Sequence, residues 1–280
     1  MVNVFQKKVL MMALYAGEII MKSGAEIYRV EDTISRICKA CGIDNVEVFA
    51  TPTGIIVSLD KGGEADDTQT YVKRIKGIST DLKKISMVNK FSRKFAENSL
   101  NSRTADMPQA ASEVNSEDAA VDFGMNVLRR IDRGRKYPMA LRLSGAAMIA
   151  AAFCLIFGGS AADCCISLIT GAVSYIFSIL LSEIDVNSFV RGFCCCALTA
   201  VLAFIAETAV PGASHDYIII GTMMLFVPGM ALTNSIRDFL SGDMLAGVAR
   251  LAETVLIAVS LAAGAGVVVK LWNIIGGAIL

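Results

Sequence analysis

Arg129-Arg-Ile-Asp-Arg-Gly-Arg-Lys-Tyr-Pro138 runs directly into Met139-Ala-Leu-Arg-Leu-Ser-Gly-Ala-Ala-Met-Ile-Ala-Ala-Ala-Phe-Cys-Leu-Ile156, and this junction decides the fold. A strongly basic segment gives way to an apolar run interrupted by a single charge, Arg142. The contrast extends outward in both directions. Residues 1–137 carry 39 charged side chains (21 Lys/Arg and 18 Asp/Glu), whereas the longer stretch 138–280 carries 13 (5 Lys/Arg and 8 Asp/Glu). A water-soluble domain needs polar surface, and the second half cannot supply it. The chain therefore reads as an α+β soluble N-terminal domain, residues 1–137, followed by an all-α membrane bundle, residues 138–280.

Charge and cysteine usage exclude several function classes. The net charge is zero, split +3 and −3 between the halves, with no basic stripe interleaved with aromatics, so nucleic acid is not an expected partner. The lysines of Met1-Val-Asn-Val-Phe-Gln-Lys-Lys8 precede a mixed amphipathic run without a small-residue cleavage site, and the amino terminus is expected to stay in the cytoplasm. Six of the eight cysteines lie in apolar segments, where cysteine behaves as a small hydrophobe. Cys38-Lys-Ala-Cys41 has no second pair and no nearby histidine, so no metal site is expected. His215 is the single histidine, and no nucleotide-binding Gly-rich loop ending in Lys-Ser/Thr is present. Neither an enzyme nor a cofactor is expected.

Within the first half, apolar spacing predicts a helix over Val4–Met21, interrupted by Ser23-Gly24. A second helix carries Ile27, Val30, Ile34, Ile37 and Cys41 on one face and ends at Gly42. Its charged face holds Glu26, Arg29, Glu31 and Asp32, suited to assembly or gating rather than catalysis because no nucleophile and base accompany them, with a solvated helix face as the equal alternative. Val46–Ala50 and Ile55–Leu59 read as strands around Thr51-Pro-Thr-Gly54, with a third strand over Gln69–Lys76. Leu82, Ile85, Val88, Phe91 and Phe95 mark a further helix. Residues 101–118 read as a linker, and a last helix over 117–135 leads to the membrane.

Five spans are predicted, at 139–157, 163–181, 189–206, 217–234 and 247–269. Lys and Arg alternate between their connections: Arg129, Arg130, Arg133, Arg135 and Lys136 precede the first span, Arg191 follows the second, and Arg237 and Arg250 flank the fourth connection. The intervening connections have none, which places residues 1–137 inside and the carboxyl terminus outside. Many secondary transporters combine two repeats of opposite orientation, and a five-span half needs a partner to complete such a pair. The chain is accordingly expected to associate with itself or with a second, small multi-span membrane protein.

The polar residues of the membrane half concentrate in Leu225–Arg250, LFVPGMALTNSIRDFLSGDMLAGVAR. Pro228-Gly229 predicts a kink or break in the fourth span, since proline removes a helix hydrogen bond. Broken helices expose backbone groups that bind ions and carboxylates. Asn234, Arg237, Asp238, Asp243, Arg250 and Glu253 follow. A charge at the centre of a bilayer costs roughly 2.5–3.5 kcal/mol, so these groups must pair or line water. Pro228, Gly229 and Asn234 are the candidates for shaping a substrate path, with Arg237, Asp238 and Asp243 as its inner charged gate and Arg250 and Glu253 alongside. A solvated loop with surface charges is the competing reading.

Two stretches carry a family resemblance. Ser23-Gly-Ala-Glu-Ile-Tyr-Arg-Val-Glu31, followed by a Cys-Gly-Ile turn and a Pro-Thr-Gly strand pair, resembles the soluble domain of the threonine/serine exporter family. Phe226-Val-Pro-Gly-Met-Ala-Leu-Thr-Asn-Ser-Ile-Arg-Asp-Phe-Leu-Ser-Gly-Asp243 resembles that family's membrane signature. The resemblance implies a multi-pass protein of the bacterial inner membrane and efflux of a small carboxylate-bearing metabolite. With five spans, the chain resembles the larger subunit of a split two-component system. The leading expectation is ion-driven export of small amino acids such as threonine and serine. Dicarboxylate (succinate) export, and a non-transporting regulatory or scaffold role, stay open.

Overall fold

A computed structural model describes residues 4–59, 69–104, 113–134 and 137–279. They form two compact units, one from Met1–Arg135 with Met230–Leu251, the other from Lys136–Gly229 with Ala252–Leu280. Met230–Leu251, which hydropathy groups with the membrane half, therefore packs with the first unit.

In the first unit, α1 (Val4–Lys22) is the central helix. Val9, Leu10, Met12, Ala13, Ala16, Ile19, Ile20 and Met21 are all buried, covering most of its circumference. A helix apolar nearly all round belongs inside a core. Against it pack α2 (Ile27–Ala40), α3 (Leu82–Thr104) and α4 (Glu113–Asp132). The predicted face of α2 is the buried one: Ile27, Val30, Ile34 and Ile37 are fully enclosed. Strands β1 (Val46–Thr51), β2 (Gly54–Leu59) and β3 (Gln69–Arg74) form an antiparallel sheet in that order. Its register pairs Val48 with Val57 and Val57 with Tyr71. Ile55, Val57 and Leu59 alternate inward to the core, as the two-residue period of a strand requires.

Helix enters both ends of the expected linker at 101–118. α3 continues to Thr104 and α4 begins at Glu113, while residues 105–112 lie outside the described residues. The Asn and Ser content of this stretch is only weakly unfavourable for helix, and its Glu and Ala favour it. Burial of Val121, Leu128 and Ile131 on α4 outweighs that small cost.

The second unit is built from α5 (Met139–Ile156), α6 (Ala161–Glu183), α7 (Ser188–Ala209), α8 (His215–Met223) and the later part of α10 (Met244–Ile279). Small residues set their close approach: a Cβ on Gly264 would stand 2.2 Å from the Phe193 carbonyl oxygen, and one on Gly221 2.8 Å from that of Ala150. Hydroxyls bridge the helices, with Thr170 and Thr222 2.9 Å apart and Ser174 and Thr199 at the same distance. Asp163 and Ser160 form a capping box at the start of α6, and Asp163 also accepts a bond from the Ser214 N–H at 2.8 Å.

Among the described residues, four helices are long and apolar enough to cross a membrane: Met139–Ile156, Ala161–Glu183, Ser188–Ala209 and Met244–Ile275. The predicted fourth span, 217–234, is not one helix. α8 ends at Met223, a turn intervenes, and α9 (Gly229–Leu240) begins after Pro228. Nine residues of α8 extend only about 14 Å, well short of a hydrocarbon core of about 30 Å. The physical cause is the one the proline announces: its missing N–H and its ring prevent continuation through 228.

Candidate functional site

The α1–α2 turn and the α9–α10 turn meet within the first unit. Both are closed by a left-handed glycine. Gly24 (φ 82°) and Gly242 (φ 94°) each sit two residues past a helix end, in a backbone conformation where residues with a Cβ are strained. The Gly24 N–H donates to the Met21 carbonyl at 3.0 Å and the Ala25 N–H to that of Ile20 at 3.1 Å. Around Gly242, the glycine N–H bonds the Phe239 carbonyl at 3.1 Å and the Asp243 N–H that of Asp238 at 2.9 Å.

Turning the chain at Ser23–Glu26 leaves four carbonyls in need of donors, and each has one. The Lys22 carbonyl accepts from the Ser79 N–H (2.8 Å) and the Ser23 carbonyl from the Asp81 N–H (3.1 Å). The Gly24 carbonyl accepts from Asn234 Nδ2 (2.8 Å) and the Ala25 carbonyl from Arg250 Nη2 (2.7 Å). The last two donors come from α9 and α10. Asn234 and Asp238 are one turn apart on α9 and share its buried face.

Asp238 completes the contact from the acidic side. Its Oδ1 accepts the N–H of Ile27, the first residue of α2, at 3.0 Å. Glu26 occupies the N-cap of that helix but offers no side-chain cap, so a carboxylate from α9 caps it instead. That position also suits the positive end of the helix dipole. Asp238 Oδ2 lies 3.1 Å from Arg250 Nη1 without the alignment of a hydrogen bond, so this oxygen is compensated by charge alone. Burial pushes the Asp238 carboxyl above the usual aspartate range. The Ile27 N–H and Arg250 oppose that shift without cancelling it, and Asp243 and Glu26 add to it.

Glu26 takes up the remaining charges. It is buried, pairs with Arg29 Nε at 3.0 Å, and makes a short contact with Arg237 Nη1. The result is a latch in which Glu26 and Asp238 are set among Arg29, Arg237 and Arg250. The Arg250 guanidinium additionally touches Met21 Sδ at 3.7 Å.

The remaining predicted residues lie elsewhere. Glu31 accepts the Ala50 N–H at 2.8 Å, tying α2 to strand β1, and burial raises its carboxyl. Asp243 caps α10 through its carbonyl, which accepts the Gly247 N–H at 2.9 Å. Its carboxylate, also pushed up by burial, makes no hydrogen bond or ion pair among the described residues. Pro228 and Gly229 belong to the second unit, as does Glu253, which is exposed there. Sequence reasoning missed the carbonyls of Gly24 and Ala25, which no side chain announces. It also missed the hydroxyls of Ser167, Thr170 and Ser174, whose three- and four-residue spacing on an apolar helix was readable. Arg142, near the start of α5, donates to the Tyr175 hydroxyl at 3.0 Å. Among the described residues no group of three His, Cys, Asp or Glu side chains is placed to hold a metal.

Apart from Arg250, the side chains of this latch lie in the two stretches that resemble the threonine/serine exporter family, and comparison with known proteins agrees. A family model described as "Putative threonine/serine exporter" matches residues 11–272. The chain belongs to the threonine/serine exporter family. Its described residues include four helices of span length and apolarity. It is 24% identical over 262 residues to a "Probable threonine/serine exporter" of Mycobacterium tuberculosis, covering 92% of this chain and 45% of that protein. The chain thus spans less than half the length of that relative. Two further relatives are matched almost end to end, both "Probable succinate transporter subunit YjjP". The Klebsiella aerogenes protein is 22% identical over 281 residues (98% of this chain, 97% of its own). The Escherichia coli protein is 22% identical over 279 residues (97% of each). No solved structure matches the chain.

Proposed function

We propose that this chain is a subunit of a bacterial inner-membrane secondary exporter for small amino acids such as threonine and serine, and that the latch on the α1–α2 turn is its gating element. The observation that carries this reading is the double hold of Asp238, on the α2 N-terminus and on Arg250, on the helix that begins after the break at Pro228. A buried carboxylate with a raised pKa and one oxygen lacking a hydrogen bond is suited to accept a coupling proton. Protonation would remove both the counter-charge of Arg250 and the anionic cap of α2. Asn234, Arg237 and Arg250 supply the donors that a substrate carboxylate would need once the latch opens. The acidic excess of the second half favours a zwitterionic substrate. The names of the two full-length relatives favour a second reading, dicarboxylate efflux, in which the paired cations take both carboxylates.

In this proposal residues 1–137 face the cytoplasm. α8 and the turn after it supply the fourth of five crossings, as a broken helix whose turn borders the substrate path. A smaller multi-span membrane protein, or a second copy, completes the unit. The word "subunit" in the names of the YjjP relatives supports such a partner.

The test is flux of labelled threonine and of succinate from proteoliposomes, with and without a co-purified small membrane partner. Asp238→Asn and Arg237→Gln are expected to abolish efflux when equal amounts of folded protein are reconstituted. Wild-type flux in both variants would refute the gate. Normal assembly with no flux of either substrate in any combination would leave the regulatory or scaffold role as the better account. Labelling single cysteines at Ser214 and Ser241 should report opposite sides of the membrane, and both on one side would refute the five-crossing arrangement.

A further inference from the structure

A cleft of about 450 Å³ opens in the first unit between α1, β3 and α4, with no lining residue in common with the latch. This volume lies within the range of small-molecule sites, roughly 300–1,000 Å³. Met11, Leu14 and Met125 give it apolar walls, and Tyr15 and Tyr71 contribute phenols.

Its charges are unbalanced. Glu18 is already held by Lys22 at 2.7 Å and Lys73 at 3.0 Å. Asp132 is held by Lys84 at 3.1 Å and by the Tyr15 hydroxyl at 2.9 Å. With both carboxylates neutralised, Arg129 and Arg133 remain on the rim, one helical turn apart. Neither side chain makes a hydrogen bond or ion pair among the described residues. Basic residues near the end of α4 offset its dipole, and Arg130 does so equally. Arg129 and Arg133 differ from Arg130 in opening on the cleft. Two guanidiniums at that spacing present forked donors to a carboxylate or phosphate, beside an apolar wall for the rest of the molecule.

We propose that this cleft binds a small organic anion, a carboxylate or phosphate on a compact apolar or hydroxylated body, and so gives the first unit a ligand site of its own, apart from transport. The anionic group belongs to a free metabolite or to a lipid headgroup, and two experimental arms distinguish them. In the first, succinate and inorganic phosphate are titrated calorimetrically into the full-length protein in zwitterionic nanodiscs. In the second, thermal stability is compared between zwitterionic nanodiscs and nanodiscs containing phosphatidylglycerol.

Arg129→Gln, Arg133→Gln and Arg130→Gln each remove one exposed charge, and equal melting temperatures in zwitterionic discs show that each folds. Saturable binding in the first arm, weakened at least tenfold by Arg129→Gln and by Arg133→Gln but less than twofold by Arg130→Gln, establishes a free-anion site. A stabilisation by phosphatidylglycerol with the same variant pattern, and no such binding in the first arm, assigns the anion to a headgroup. Binding that is indifferent to Arg129 and Arg133, equal losses in all three variants, or no effect in either arm overturns the proposal. Succinate bound at a transport site is separated by the same variants, because it would not respond to them.

Discussion

Replacing Asp238 by Asn tests the latch most directly. The amide keeps the side-chain shape and an oxygen for the Ile27 N–H, and removes only the charge. Arg250, 6% exposed, is then left beside a neutral group. Breaking a buried ion pair from one side costs about 3–5 kcal/mol. Arg250 retains the Ala25 carbonyl at 2.7 Å, which points to the lower end, about 3 kcal/mol. In a unit of this size that corresponds to a fall in melting temperature of about 6–12 °C. Arg250→Met should cost less, about 2 kcal/mol, because Asp238 can take up a proton rather than stay charged and unpaired. The double variant leaves no buried charge behind, so its loss should fall short of the sum by about 1–3 kcal/mol. Thermal unfolding of the four full-length proteins in one detergent measures this coupling. Additivity within about 0.5 kcal/mol, or an Asp238→Asn protein as stable as the parent, would refute the buried pair.

Three further outcomes follow from the same geometry. Gly24→Ala and Gly242→Ala should each lower stability by about 1–2 kcal/mol through left-handed strain, with an added clash at Gly24, where a Cβ would stand 3.2 Å from the Ser79 carbonyl oxygen. Gly229→Ala, whose Cβ would meet nothing within 4 Å, should melt close to wild type in the same scan. Burial tends to raise the Glu18 and Asp132 carboxyls, but Lys22 and Lys73 on the first, and Tyr15 and Lys84 on the second, outweigh it and hold both below their usual values. The unfolded chain therefore takes up protons first as pH falls. This stabilisation is complete above their ordinary values and lost on acidification through the lower folded ones, and Glu18→Gln should flatten the acid limb of a melting-temperature profile. Arg29→Ala removes a partner of Glu26 and should impair flux or assembly while leaving membrane insertion intact, read by proteoliposome flux and co-purification; normal flux with normal assembly would reduce Arg29 to a solvated helix face.

Much of the architecture is legible from local pattern, because helices and strands answer to spacing within a few residues. The buried stripe of α2, the alternation along β2, the apolar lengths of α5, α6 and α7, and the break at Pro228 are all of this kind. Family membership is legible too, from two stretches some 200 residues apart. The tertiary structure decided what the polar residues touch. Asn234, Asp238 and Arg250 read as neighbours of a membrane path, yet their partners are the Gly24 carbonyl, the Ile27 N–H and the Ala25 carbonyl. Backbone groups are the same at every position, so no sequence pattern marks the ones that a turn will leave unpaired. Only the folded turn of α1 into α2 creates that demand. The length of α10 and the number of continuous spans escaped for a related reason: helix ends depend on which neighbours cover the last turns, and that is settled by packing rather than by composition.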